Sequence, residues 1–279
     1  MELLNTLYNL MGLVFVLGTI CSMGLSLTIA QITGPLRNIR FVIVALLANF
    51  IIPPILAFIL IRVFSLDESL AVGLLLVSLA AGAPALPKTA VFARVDTATA
   101  TGLMVLLVVV TIIVMPIALP LLLTGISVTF WDIAAGLVYL ILIPLAISLF
   151  VRARYPETAA SAQQMFAQAS NLSLLFLLVL MVVLNFSDVV GLLGSGGLLA
   201  SLILVILSTA GGYVLGKLGK AESWIQALGA GQRNIAAAMV VATMNFGNDE
   251  VVMVVVYSLI VMVILIPLAL ELGKRAEAS

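Results

Sequence analysis

The chain has no histidine, one cysteine (Cys21) and little charge: 12 Lys+Arg and 12 Asp+Glu among 279 residues, 9% charged in all. Each shortage excludes something. Without imidazole there is no His-dependent triad and no ordinary zinc or haem site, and one thiol makes no disulfide framework. A net charge of +0 without a basic tract argues against nucleic acid as a partner. There is no GxxxxGK[ST] segment to cradle ATP phosphates. With no paired carboxylates either, acid–base catalysis has no tools, so neither an enzyme nor a metal or cofactor site is expected.

What is present is apolar. Hydrophobic residues make up 64% and mean hydropathy is +1.34, against about 45–50% apolar and about 25% charged in an ordinary soluble domain. Only the lipid bilayer can solvate such a chain. A spanning helix needs roughly 20 mostly apolar residues, and nine stretches qualify: about 8–30, 39–62, 69–94, 97–124, 131–151, 165–186, 196–216, 223–245 and 250–271. Strand-like alternation is absent, so the expected fold is an all-α membrane protein of nine transmembrane helices, one polytopic domain over residues 1–279. The first stretch reads as a span rather than a cleavable signal, because Glu2 precedes it and no basic region does.

The cations orient it. With loops assigned alternately to the two sides, one side collects Arg37, Arg40, Arg94, Arg152, Arg154, Lys217, Lys220, Lys274 and Arg275. The other holds Arg62 alone, beside Asp67, Glu68, Asp249 and Glu250. Positive charge marks the cytoplasmic side. The expectation is a multi-pass cell-membrane protein with its N-terminus outside and its C-terminus in the cytoplasm, which requires an odd number of spans.

Two cations remain, Lys88 and Arg233, and both lie inside apolar stretches at helix-breaking sequence. Lys88 follows Pro84 and Pro87, which remove backbone donors three residues apart. Arg233 sits in Gly229-Ala230-Gly231-Gln232-Arg233-Asn234. Interrupted backbone at membrane depth is tolerated only inside protein or beside a wet cavity. The third span and the eighth run in opposite directions, and each is followed by a similar segment, Pro116-Ile117-Ala118-Leu119 or Pro267-Leu268-Ala269-Leu270. Paired interruptions in two halves point to inverted repeats and to a secondary transporter's binding site. The expected core is 69–124 with 223–272, and helices from 39–62 and 165–216 pack nearby.

Depth separates the two cations. Lys88 is six residues from Arg94, roughly 9 Å of helix, within reach of snorkelling to the surface. Arg233 is eleven residues past Glu222, roughly 16 Å in, where an unpaired Arg costs from about 3 to over 10 kcal/mol. No carboxylate lies at that depth in the sequence. Half-helix carbonyls, water or an anionic ligand must compensate it. Thr89, Gln232 and Asn234 adjoin the breaks and are the polar residues best placed to take part.

These residues carry a family resemblance. Met23-Gly24-Leu25-Ser26-Leu27, Ala48-Asn49-Phe50 with Pro53, Ala71–Val77 leading to Phe92-Ala93-Arg94-Val95-Asp96, and Gly231-Gln232-Arg233-Asn234 resemble, in order, the bile acid:sodium symporter family. The resemblance implies a panel part, and a core part with two crossing discontinuous helices. It also implies organic-anion substrates, bile salts or smaller carboxylates. It further implies sodium ligands, and there the sequence departs. Leu86-Pro87 stand where sodium-coupled members have Ser-Asn, Ala100 and Met104 replace hydroxyls, and Gly229 and Arg233 replace a Glu and a Gln. Asn49, where the family has Gln, and Asn234 keep oxygen ligands.

Hard cations need clustered oxygen donors, and a fixed charge 4 Å away repels Na⁺ by about 4 kcal/mol at an effective dielectric near 20. The expectation is therefore a carrier of a small organic anion that is not sodium-coupled, with Lys88 and Arg233 standing in for the ions. Proton coupling through Lys88, plain exchange and facilitated movement stay open. So do an ordinary sodium-coupled symporter, and a channel or ligand sensor on the same fold. The oligomeric state is left unassigned.

Overall fold

A computed structural model describes residues 2–123, 128–184 and 194–278. They form fourteen α-helices: α1 (Glu2–Ser26), α2 (Ile29–Leu36), α3 (Ile39–Phe50), α4 (Ile52–Val63), α5 (Glu68–Leu79), α6 (Leu86–Ala93), α7 (Thr97–Leu122), α8 (Phe130–Leu137), α9 (Ile143–Arg154), α10 (Pro156–Leu184), α11 (Gly197–Gly219), α12 (Ser223–Gly231), α13 (Ile235–Asn245) and α14 (Asn248–Ala278). A π-helical turn, Val138–Leu142, joins α8 to α9. No strand occurs among the described residues.

Among the described residues, six stretches are long and apolar enough to cross a bilayer: Thr6–Ser26, Ile39–Val63, Thr97–Leu122, Phe130–Arg154, Gly197–Gly219 and Asp249–Glu277. The expected third and eighth spans are each two half-helices, α5 with α6 and α12 with α13, and each half is too short to cross alone. The sixth expected span falls in α10, and its end at 186 lies outside the described residues. The first span stops earlier than expected. Thr28 and Gln31 exchange backbone-to-side-chain hydrogen bonds in a capping box, which starts α2 as a separate helix.

Packing sorts the helices. α1, α9 and α10 pack on one another, and α5, α6, α7, α11, α12 and α14 form a second, interlocked set, with α3 and α4 against α11. Of the helices expected near the core, α11 packs on α12, α3 and α4, while α10 packs chiefly on α1 and α9. Small residues set the close approaches, as expected where helices associate without a hydrophobic driving force. A Cβ on Gly24 would fall 2.6 Å from Ser148 Cβ, and one on Gly212 would fall 2.5 Å from the Gln226 carbonyl oxygen. Gly196 lies against Phe64, and Arg94 forms an ion pair with Glu277. The start of α11 thus lies beside the end of α4, and the ends of α6 and α14 lie together.

Gly82 lies between the half-helices α5 and α6 at φ +86°. A Cβ there would meet the Val108 amide nitrogen at 2.5 Å and the Met104 carbonyl oxygen at 2.8 Å. Backbone conformation and space both demand glycine, so Gly82→Ala is expected to destabilise the protein by about 3 kcal/mol, left-handed strain and overpacking together. Thermal unfolding in detergent measures it.

Asp96 caps α7, accepting from the Thr99 hydroxyl and from the amides of Thr99 and Ala98. The Thr99 hydroxyl is the main cause that holds its carboxyl below the usual carboxylate range. A folded pKa below the unfolded one stabilises the fold above the unfolded pKa and loses that contribution as pH falls through the folded one. Asp96→Ala should lower stability by about 1 kcal/mol near neutral pH. The difference should shrink on acidification, read as unfolding midpoints across pH.

Candidate functional site

The two breaks meet. The first runs from Ala80 to Ala85, between α5 and α6, and the second is Gln232-Arg233-Asn234, between α12 and α13. The Asn234 amide donates to the Ala80 carbonyl at 2.7 Å and joins them directly. Both groups were freed by the interruptions. Pro84, four residues after Ala80, has no N–H to return to that carbonyl. Behind the first break, the Thr111 hydroxyl on α7 accepts from the Ala81 amide and donates to its carbonyl, each at 3.0 Å.

The helix-breaking residues divide into two kinds. Pro84 lies in the break itself, whereas Pro87 occupies the first turn of α6, where its missing donor costs nothing. Gly229 and Gly231 lie not in the second break but in the last turn of α12. Their role is close packing, since a Cβ on Gly229 would fall 2.8 Å from Leu103 Cδ2 and one on Gly231 would overlap the Thr209 hydroxyl. The extended conformation falls instead on Gln232, at φ −86° and ψ 134°.

Arg233 is the centre of this junction and is 2% exposed. A guanidinium has five N–H groups and no acceptor, and all five are placed. Nε donates to the Val77 carbonyl at 3.1 Å. Nη1 donates to the Ala230 carbonyl at 3.1 Å and to Asn49 Oδ1 at 3.4 Å. Nη2 donates to the carbonyls of Asn49 at 3.0 Å and Ser78 at 2.9 Å. The backbone acceptors belong to the last turns of α3, α5 and α12, so three negative helix ends converge on one cation.

Each of these carbonyls has lost its helical donor. Pro53, four residues after Asn49, has none to give. The chain leaves the helix before Gly82 could serve Ser78, the Ala81 amide turns to Leu79 and Thr111 instead of Val77, and the Asn234 amide has gone to Ala80 instead of Ala230. The buried charge is therefore matched by dipoles the breaks expose, without a carboxylate.

The other expected site residues spread around this point. Asn49 is fully buried and binds the guanidinium through both its carbonyl and its side chain. Asn234 is fully buried, and its Oδ1 caps α13 by accepting from the Ala237 amide at 3.0 Å. Gln232 Nε2 donates to the Thr89 hydroxyl at 2.6 Å, which ties α6 to the second break. Two buried atoms here have no protein partner, Asn234 Nδ2 and Gln232 Oε1. Lys88 stands apart on the exposed face of α6, and no hydrogen bond or ion pair joins it to the guanidinium among the described residues. Nor do those residues hold any cluster of His, Cys, Asp or Glu that could bind a metal ion.

Sequence reasoning missed Val77, Ser78, Ala80 and Thr111. The first three contribute only backbone, which no residue type advertises. Asn49 with Pro53 carried a readable signal, because a proline four residues on frees a carbonyl.

Removing the guanidinium leaves five acceptors unpaired. Arg233→Ala should cost about 3–5 kcal/mol, the scale for breaking a buried charge network. Arg233→Lys, with three N–H groups, should fall between it and the wild type. Free guanidinium ion at millimolar concentration should restore part of the Arg233→Ala loss in thermal unfolding. Equal midpoints for all three proteins would contradict this account of the junction.

The sequence from residue 11 to residue 193, about two thirds of the chain, matches the model of the Sodium Bile acid symporter family. The match includes Asn49, Val77 and Ser78, and ends before Arg233. No curated protein matches the chain significantly. A transporter family, not an enzyme family, accounts for an interrupted membrane core of this kind, and the chain belongs to the sodium bile acid symporter family.

Proposed function

We propose that this chain carries a small organic anion, bile-salt-like or a smaller carboxylate, by alternating access and without sodium, because Arg233 holds the position a coupling cation would take. Family membership supports the coarse reading, a secondary transporter of the bile-acid or organic-anion type. The finer one rests on a single observation. The carbonyls that converge between the breaks, which a hard cation would otherwise satisfy, are already bonded to a covalently attached charge. Na⁺ placed 4 Å from that charge meets about 4 kcal/mol of repulsion at an effective dielectric near 20.

This reading gives the two cations different work. With all five N–H groups engaged, Arg233 holds the core together and does not bind substrate itself. The helices α6 and α13 both begin at the junction, and the positive ends of their dipoles favour an anion there. Asn234 Nδ2 is the free buried donor beside them and Gln232 Oε1 the free acceptor, a pair suited to a carboxylate that also carries a hydroxyl. Thr89 positions Gln232. Lys88, on the exposed face of α6, attracts the anion from a distance, and its exposure favours exchange or facilitated movement over proton cycling through a buried amine. The charge bias of the loops supports an N-terminus outside and a C-terminus in the cytoplasm.

Uptake of cholate and of short hydroxycarboxylates into proteoliposomes, in sodium or in choline buffer, tests this. The expected result is equal rates within about twofold in the two buffers, with uptake lost in Asn234→Ala. Strict dependence on sodium would sink the reading and make the chain an ordinary sodium-coupled symporter. A high-conductance current in place of saturable exchange would make it a channel.

A further inference from the structure

On the opposite side of α12 from the first break, α11 and α14 border a groove of about 340 Å³, within the size range of small-molecule sites. Its walls are Ile206 and Ala210 on α11 and Ile264 and Leu268 on α14. Both helices are among the candidate membrane spans, so a groove between them opens toward lipid. The Thr209 hydroxyl in it is already donated to the Val205 carbonyl at 2.7 Å, and the other polar side-chain atoms belong to Tyr213 and Trp224. The rest of the lining is apolar. It suits a hydrocarbon chain.

Charge says what the chain is attached to. The stripe Ile206, Ala210 and Tyr213 continues along α11 at three- and four-residue steps to Lys217, and Lys220 is the first residue past the end of the helix; both lysines are exposed. At the same end, Tyr213 and Trp224 close the groove with ring centroids 4.5 Å apart, the kind of aromatic pair that sits at the headgroup level of a bilayer. The turn between α11 and α12 adds one acid, Glu222, against the two lysines. On α14 the neighbouring Arg275 is held by Glu271 at 2.8 Å and contributes no free charge. The balance at the mouth is positive.

The groove also has a way to act. Its most buried lining residues, Thr209 and Leu265, form its floor, and both press on Gly231: a Cβ there would fall 3.0 Å from Leu265 Cδ1 and would overlap the Thr209 hydroxyl. Gly231 is the last residue of α12, two positions before Arg233.

We infer that an anionic phospholipid lays one acyl chain in this groove with its headgroup on Lys217 and Lys220, and that its occupancy braces the end of α12 and so regulates the broken-helix junction. The binding is independent of the transport reading above, and only the regulation rests on it.

The test uses the purified full chain in detergent, titrated with phosphatidylglycerol or with phosphatidylcholine of the same acyl composition. Ligand that binds the native state raises the unfolding midpoint. Phosphatidylglycerol should raise it by several degrees more than phosphatidylcholine. The double variant Lys217→Ala/Lys220→Ala should lose that difference. Ala210→Trp, which fills the groove from an exposed position, should lose the response to both lipids while unfolding cooperatively without them. Equal responses to the two lipids in the wild type, or an unchanged response in Ala210→Trp, would overturn the site. In proteoliposomes, wild-type uptake should rise at least threefold when phosphatidylglycerol is included, and the lysine variant should not respond. Lipid-independent uptake alongside a positive thermal result overturns the regulation and leaves the carrier reading standing.

Discussion

Everything in the core turns on how a full positive charge is accommodated without a carboxylate. A bilayer penalises both partners of the solution this protein uses. Backbone carbonyls without donors are costly in an apolar medium, and so is a bare guanidinium. Bringing them together cancels both penalties at one place. The fork geometry matters, because five donors in a plane can serve carbonyls arriving from three directions, which a lysine's three donors cannot. Arg233 thereby ties the ends of α3, α5 and α12 into one body.

That body is reinforced where the backbone leaves the helix. Thr111 holds both polar groups of Ala81, Thr89 is tied to Gln232, and the breaks share the bond from the Asn234 amide to the Ala80 carbonyl. Against it lies a second set, α1, α9 and α10, packed through glycine at Gly18 and Gly24. Between them the span from Phe130 to Arg154 changes partners: α8 packs on α7 and α13, and α9 on α1 and α10, with the π-helical turn at the changeover. The described helices thus pack as two sets, the division that the proposed carrier would use to move one unit against the other.

Much of this was legible in the sequence, for identifiable reasons. Membrane insertion follows from composition, and the two interruptions follow from the residues around Lys88 and Arg233, because a helix at membrane depth shows its breaks as proline or as polar residues in an apolar run. The depth of Arg233, counted from Glu222, left half-helix carbonyls, water or an anionic ligand to compensate it, and the structure supplies the carbonyls. What could not be read was any partner that acts through its backbone, as Val77, Ser78 and Ala80 do. Nor could the side of α6 on which Lys88 falls, since in an eight-residue helix one step in register moves a side chain from core to surface. Gly229 and Gly231 misled for a related reason. Glycine marks close packing as readily as it marks a break, and here α12 runs through both before it ends.

The distance along the chain between Arg233 and its acceptors has a consequence for biogenesis. Asn49 lies 184 residues before it, and Val77 and Ser78 lie 156 and 155 before it. Synthesis from the N-terminus therefore delivers α3 and α5 to the membrane with those carbonyls still lacking their final donors. The N-terminal portion can insert its long helices, but it cannot finish its core until α12 has followed. Until then water or neighbouring segments must serve the carbonyls, so this part of the core closes only when one late arginine docks into a socket built largely by the first third of the chain.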